Sequence, residues 1–182
     1  PRFEPMRARF LEILDSKEKI PTVTRRGDFF YNLWQDAKNP RGLWRRTTLA
    51  EYRKPQPAWE TVLDLDALGA AEKENWVWKG ATCFGPPYTR CVLSLSRGGA
   101  DASVLREFDT HAKRFIEAKD GGFVVTEAKS SIDWIDENTV YVATDFGPGS
   151  MTDSGYPRMV KRWQRGTPIG QAVTVFEGVA KD

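Results

Sequence analysis

The stretch Ser130–Phe146, SSIDWIDENTVYVATDF, has the pattern of a β-hairpin. Ile132 and Trp134 alternate with polar residues before a polar Asp-Glu-Asn turn, and Val140 and Val142 alternate after it. An alternation with a period of two places these apolar side chains on one face of the hairpin. Because an isolated hairpin is marginally stable in water, we expect further strands or a helix to pack against this face.

Similar strands recur along the rest of the chain in sets. The third and fourth strands of each set return at intervals of about 53 to 60 residues, with the third strands centred near Trp44, Val104 and Val160 and the fourth near Val62, Phe115 and Val175. A four-stranded unit that recurs every ~40–50 residues is typical of a propeller blade. The extra length falls in loops such as GPGSMTDSGYP.

The sequence therefore predicts an all-β, mainly antiparallel fold with three consecutive four-stranded blades of a β-propeller and an N-terminal helix. Residues 1–24 form the helical lead-in, with the helix itself over 6–19, and residues 25–182 form a partial propeller. The predicted blades are 25–68, 74–118 and 122–178. Since propellers close with ~4–8 blades, we expect the chain to be a fragment that self-associates through its open blade faces, near its tryptophans.

Composition excludes several classes of function. Of the 182 residues, 40% are apolar and 29% are charged, as is usual for a globular protein, and the net charge of +2 is too small to indicate nucleic-acid binding. No run approaches the ~18 apolar residues of a membrane span, so no membrane partner is expected. With one histidine and two cysteines, neither a metal site nor a cofactor is expected. A cytoplasmic and a periplasmic location remain equally open.

The two cysteines, Cys83 and Cys91, flank a turn in the segment CFGPPYTRC. Gly85 and the two prolines after it favour a tight reversal of the chain. The pair can therefore face each other across the loop as a disulfide, or remain as two free thiols near strand ends.

Residues for nucleophilic catalysis do not occur in a suitable pattern. The sole histidine, His111, lies in a turn between strands, and Ser150 lacks the second glycine of a G-x-S-x-G elbow. Asp136 and Glu137 occupy the hairpin tip, where turn geometry favours them. Asp133 alternates with Trp134 within a strand and is a candidate for a channel position or a structural hydrogen bond. We expect no peptidase activity from this chain alone.

Three segments together resemble the prolyl oligopeptidase family of serine peptidases. The matching residues are Pro57, Trp59, Glu60, Leu63, Asp64 and Leu68 in the first blade, Ser96, Gly99 and Asp101 in the second, and Trp134 at the start of the third. The resemblance implies a seven-bladed propeller that lies over an α/β-hydrolase domain. That domain carries the catalytic triad, so no triad residue is assigned here.

The resemblance also implies a function and partners. The propeller would gate the access of short peptides to the α/β-hydrolase domain of the parent chain, and the leading helix would pack on that domain. The stretch entering the third blade would border the substrate cavity, which makes Lys129, Ser130 and Asp133 the candidate lining residues. Lys129 stands where the family typically has an apolar residue. The alternatives are a stand-alone module that binds a protein or peptide and, on the strength of the paired carboxylates, a glycosidase.

Overall fold

Three antiparallel sheets follow one another along the chain. Within each sheet the strands are ordered as in the sequence, except that the fifth strand of the second sheet pairs with its third strand. The protein is described here from a computed structural model, which covers residues 2–14 and 20–181. The predicted recurrence of third and fourth strands is confirmed, because each of these segments occupies the third or fourth position of its sheet.

The first sheet contains the strands β1 Thr24–Arg26, β2 Phe29–Trp34, β3 Leu43–Thr48 and β4 Glu60–Asp64. Strand β1 was not predicted, because three residues are too few to show an alternation. Arg26 pairs with Phe29, so the turn between them has two residues. Gly27 has a φ of +60° there, a conformation that two-residue hairpin turns require and that glycine adopts readily.

The second sheet contains β5 Trp76–Phe84, β6 Arg90–Arg97, β7 Ser103–Asp109, β8 Arg114–Phe115 and β9 Val124–Ala128. Both β8 and β9 pair with β7, at opposite ends of its outer edge. The segment from 124 to 128 therefore belongs to the second sheet and not to the third blade, where the sequence prediction put it. The reason is that Val125 pairs with Leu105 and both side chains are buried.

The third sheet contains β10 Ser131–Asp136, β11 Thr139–Ala143, β12 Met159–Gln164 and β13 Val173–Glu177. The hairpin predicted from the opening stretch is confirmed as its first two strands. Along it, Trp134 pairs with Val140, which pairs in turn with Trp163, and this row faces the second sheet.

Helices occupy the N-terminus and two of the connections. They are α1 Phe3–Leu14, α2 Leu49–Tyr52 and α3 Leu65–Glu72, with short 3-10 turns at Ala118–Asp120 and Ile169–Gln171. The predicted N-terminal helix extended to residue 19, but residues 15–19 lie outside the described part of the chain. Helix α3 begins where Asp64 caps it by accepting from the Ala67 amide, and its first residue, Leu65, is fully buried.

Two apolar clusters join the sheets face to face. One lies between the first and second sheets and includes Trp44, Trp76, Leu93, Leu95 and Phe108. The other lies between the second and third sheets and includes Val92, Leu105, Phe123, Val142 and Trp163. Burying each such side chain stabilises the fold by roughly 1.5–3 kcal/mol. The second sheet thus has a neighbour on both faces, as a blade inside a propeller does.

Five of the seven tryptophans lie between the sheets and not near an open face, whereas Trp34 and Trp59 lie on the open face of the first sheet. Trp44 is buried and packs on Trp78, and the indole of Trp134 donates to the Thr82 carbonyl across the second cluster. On the open face of the first sheet, the Arg45 guanidinium lies between the rings of Trp34 (4.4 Å) and Trp59 (4.2 Å). Burial there lowers the pKa of Arg45 to about 10.

Candidate functional site

Loops at one end of the second and third sheets surround a cavity of about 410 Å³. The β6–β7 turn, the link between β9 and β10, and the long β11–β12 loop all contribute to it. The lining residues are Asp101, Lys129, Ser130, Ser131, Ala143, Tyr156 and Pro157. Two of the three residues predicted from the sequence, Lys129 and Ser130, therefore lie together here.

Lys129 places a half-buried ammonium group in this cavity. Its Nζ atom lies 4.0 Å from the centre of the Tyr156 ring and 4.0 Å from Oδ2 of Asp101. The side chain of Lys129 is 29% exposed and that of Asp101 is 77% exposed. The distance to Asp101 exceeds that of a hydrogen bond, so this carboxylate attracts the ammonium without fixing it.

The Ser130 hydroxyl has a structural role. Its Oγ atom lies 2.7 Å from Oγ1 of Thr144, which is itself buried. This hydrogen bond connects the β9–β10 link to the start of the β11–β12 loop. Within the described residues, the Ser130 hydroxyl makes no hydrogen bond with a basic side chain, which a nucleophile requires.

Asp133 lies elsewhere. It pairs with Tyr141, which pairs with Arg162, and this row lies on the face of the third sheet opposite to Trp134. Its Oδ1 accepts from the Trp134 amide at 2.8 Å. Asp133 is therefore not brought together with Lys129 and Ser130. It shares a face of β10 with Ser131, which lines the cavity, but lies two residues further along the strand.

The β11–β12 loop holds Tyr156 in place beside the cavity. The Tyr156 amide donates to Oγ1 of Thr152, and the Thr152 amide donates to the Tyr156 carbonyl at 2.7 Å. Ser150 is buried, and its hydroxyl accepts from the Phe146 amide and lies 2.7 Å from the Gly147 carbonyl. The hydroxyl of Ser150 thus stabilises a turn through local hydrogen bonds.

Arginines near the cavity already have carboxylate partners. Arg97 donates to Glu74 and Glu127, and these hydrogen bonds raise its pKa. Arg158 donates to Glu177 at 2.8 Å. In contrast, the Lys129 ammonium has no hydrogen-bond acceptor within reach in the part of the chain that the structure covers.

The other residues considered for catalysis, His111 and Asp136, take part in hydrogen bonds within turns. The His111 amide donates to Asp109 in a turn, and Asp136 accepts from the Asn138 amide at the hairpin tip. Within the described residues, no three His, Cys, Asp or Glu side chains are grouped closely enough to hold a metal ion. None of the described helices has the length and apolar character needed to cross a membrane.

Cys83 and Cys91 are directly opposite each other on β5 and β6 and form a disulfide in the structure. Of the two alternatives left open by the sequence, the geometry favours this one. The end of β5 around this disulfide contacts both neighbouring sheets, since Phe84 packs on Trp134 and the Arg26 guanidinium donates to the Ala81 carbonyl.

Comparison with known proteins relates this architecture to a family. Residues 5–182 match the family model of the prolyl oligopeptidase N-terminal β-propeller domain. The chain belongs to the prolyl oligopeptidase family. The resemblance carried by the three blade motifs is thereby confirmed, and the three sheets are blades of a partial β-propeller.

Sequence relatives of this prolyl oligopeptidase propeller are uncharacterised peptidases. One from Sinorhizobium fredii is 44% identical over the whole chain, and one from Rickettsia prowazekii is 32% identical over 90% of it. The chain spans 25% and 23% of their respective lengths, so it corresponds to about a quarter of these peptidases.

Solved structures agree with this assignment. A post-proline cleaving enzyme from Rickettsia typhi superposes with a TM-score of 0.84 at 30% identity, over 98% of this chain and 27% of that one. Oligopeptidase B from Leishmania major gives a TM-score of 0.68 over 93% of this chain and 22% of that one. At 12% identity, the second match shows a shared fold alone.

The sequence could have revealed only part of the cavity. Asp101 belongs to the second-blade motif, but nothing in that motif indicated that it lies near Lys129. Tyr156 and Pro157 lie in a loop without periodicity, and only the folded path of the loop brings them to the cavity.

Proposed function

We propose that this chain forms the first three blades of a propeller that limits the access of peptides to the active site of a serine peptidase. The active site would lie in an α/β-hydrolase domain of the parent protein. The observation that carries the proposal is the match to the prolyl oligopeptidase propeller over nearly the whole chain, combined with a loop-lined cavity at one end of the blades. Short peptides are the proposed substrates.

Lys129 and Ser130 would line the path of the peptide. Both belong to the β9–β10 link, and the hydrogen bond between the hydroxyls of Ser130 and Thr144 stabilises the position of this link. The similar protein from Rickettsia typhi is a post-proline cleaving enzyme, which supports a proline-directed reaction for the parent protein.

Helix α1 would contact the hydrolase domain. Phe3, Met6, Phe10 and Leu14 line one apolar surface of the helix, and each is more than half exposed. Large apolar side chains that recur on one side of a helix indicate a surface that packs against another element. The described part of the chain offers α1 no such partner.

The proposal is tested on the full-length protein with two sets of substrates. Short proline-containing chromogenic peptides should be cleaved, and the rate should fall steeply once the substrate is a folded domain or a long chain. Cleavage of long and short substrates at equal rates would contradict the gate. The 182-residue chain by itself should leave the short peptides intact, and the chain with His111→Ala serves as its control.

A further inference from the structure

We propose that Lys129 binds a carboxylate group of the peptide substrate, so that the parent peptidase prefers negatively charged peptides. This inference rests on the proposed function, because it treats the cavity at the blade ends as part of the substrate path. It assigns a substrate class to that path.

The first argument is that the Lys129 ammonium lacks a strong partner. Its nearest carboxylate, Asp101, lies at 4.0 Å and is 77% exposed. An ion pair of this kind is weak because water screens it and because both side chains lose freedom in forming it. A half-buried ammonium without an acceptor gains more from a carboxylate that enters the cavity and makes a charge-assisted hydrogen bond.

The second argument is that Tyr156 orients the ammonium. Nζ lies 4.0 Å from the centre of the aromatic ring, within the range of an attractive cation–π contact. Two hydrogen bonds with Thr152 hold the backbone of Tyr156, while the residue remains 53% exposed. The contact with the ring restricts the lysine side chain before the ligand arrives, which reduces the entropy that binding would cost.

The third argument is the size and lining of the cavity. A volume of about 410 Å³ accommodates a few peptide groups. Ser131 adds an exposed hydroxyl beside Lys129, while Ala143 and Pro157 add apolar surface. An extended peptide that carries one carboxylate matches this combination.

Substitutions of Asp101 and of Lys129 should change the preference for acidic peptides in opposite directions. Because it attracts the same ammonium, it competes with an incoming carboxylate. Replacing Asp101 by Asn removes the competitor and should strengthen the preference for acidic peptides. Replacing Lys129 by Gln should abolish that preference.

The carboxylate can come from an acidic side chain or from the C-terminus of the peptide, and matched pairs of substrates distinguish the two sources. One pair carries Glu or Gln two to four residues before the cleaved proline. The other pair ends in a free acid or in an amide. The ratio of kcat/KM values within each pair is the readout, since it cancels any general change in activity.

For the full-length protein, we expect one of these ratios to favour the charged peptide by roughly five- to tenfold. The ratio should fall to about 1 in Lys129→Gln and rise in Asp101→Asn. The control is Lys119→Gln, which removes the same charge from an exposed residue that does not line the cavity, and it should leave both ratios unchanged.

Ratios near unity in the full-length protein, unaffected by Lys129→Gln, would overturn the inference and leave the proposed function intact. If no short peptide is cleaved at all, the proposed function fails. Calorimetric titration of the full-length protein with the same peptides then decides the role of Lys129, because equal affinities for the charged and neutral members would still refute it.

Discussion

The guanidinium of Arg165 in the third blade donates two hydrogen bonds to the fully buried carboxylate of Glu107 in the second blade, at 2.8 and 3.0 Å. Glu107 also accepts from Arg90 and from the Phe123 amide. Arg165 additionally donates to the Gly121 carbonyl. This network joins two blades through charge in a region that is otherwise apolar.

Replacing Arg165 by Met should destabilise the chain by about 3 kcal/mol, because it leaves the buried Glu107 carboxylate without its bidentate partner. Urea denaturation followed by tryptophan fluorescence measures the change. The control is Arg162→Met, an exposed arginine on β12, for which a change within about 0.5 kcal/mol is expected. Equal effects of the two substitutions would show that the network contributes no special stability.

Reducing the Cys83–Cys91 disulfide should lower stability by about 2–3 kcal/mol, as expected for a short closed loop of this length. The measurement is the urea midpoint with and without dithiothreitol. A variant with both cysteines replaced by Ala should be insensitive to the reductant. If the unchanged chain is equally insensitive, the cysteines are free thiols under those conditions.

Stability should also depend on pH through Glu60, which joins the first two blades. Hydrogen bonds from Arg46 and Lys113 lower the pKa of Glu60 to about 2. Because the folded pKa lies below the unfolded value, the contribution of Glu60 is complete above about pH 4.5 and is lost as the pH falls towards 2.

The test compares the chain with Glu60→Gln at several pH values. The difference in unfolding midpoint should be largest near pH 7, remain modest because the side chain is 43% exposed, and shrink as the pH falls below 4.5. A difference that stays constant down to pH 2 would show that the Glu60 charge has no part in it.

Strand periodicity explains how much of the fold was predictable. In the hairpin of β10 and β11, Trp134, Val140 and Val142 alternate with polar residues, and these side chains are the ones that pack towards the second sheet. The pairing of Val124–Ala128 was not predictable, since its alternation is compatible with either neighbouring sheet. Because β8 is short and pairs with only one end of β7, the other end of β7 has a free edge, and Val124–Ala128 pairs there.

Only those residues of the cavity that are adjacent in the sequence were predictable. Lys129 and Ser130 were found because the family motif places them before Trp134. Their partners Asp101, Thr144 and Tyr156 come from separate loops, and distances between loops are set by blade packing and not by local sequence. The same limit explains Asp133, which lies on a strand as expected, because the extent of the cavity along β10 depends on the loops around it.

Self-association of the chain remains a prediction, and the structure shows which surface would drive it. Within the described residues, the open face of the third blade is covered by no other sheet. Ile135, Tyr141 and Val173 are exposed there at 40%, 43% and 55%. All five residues of the edge strand β13 are exposed as well, and an uncovered edge can pair with a strand of another chain.

We therefore expect the 182-residue chain to sediment as a dimer or larger species at micromolar concentration. Replacing Val173 and Val175 by Asp should shift it to the monomer, because charges on an edge strand oppose both apolar packing and strand pairing. The matched control is Phe10→Asp on helix α1, whose apolar side is the other exposed surface. If Phe10→Asp alone produces the monomer, the helix and not the blade drives association. A monomer without any substitution would mean that the open face is stable in water as it stands.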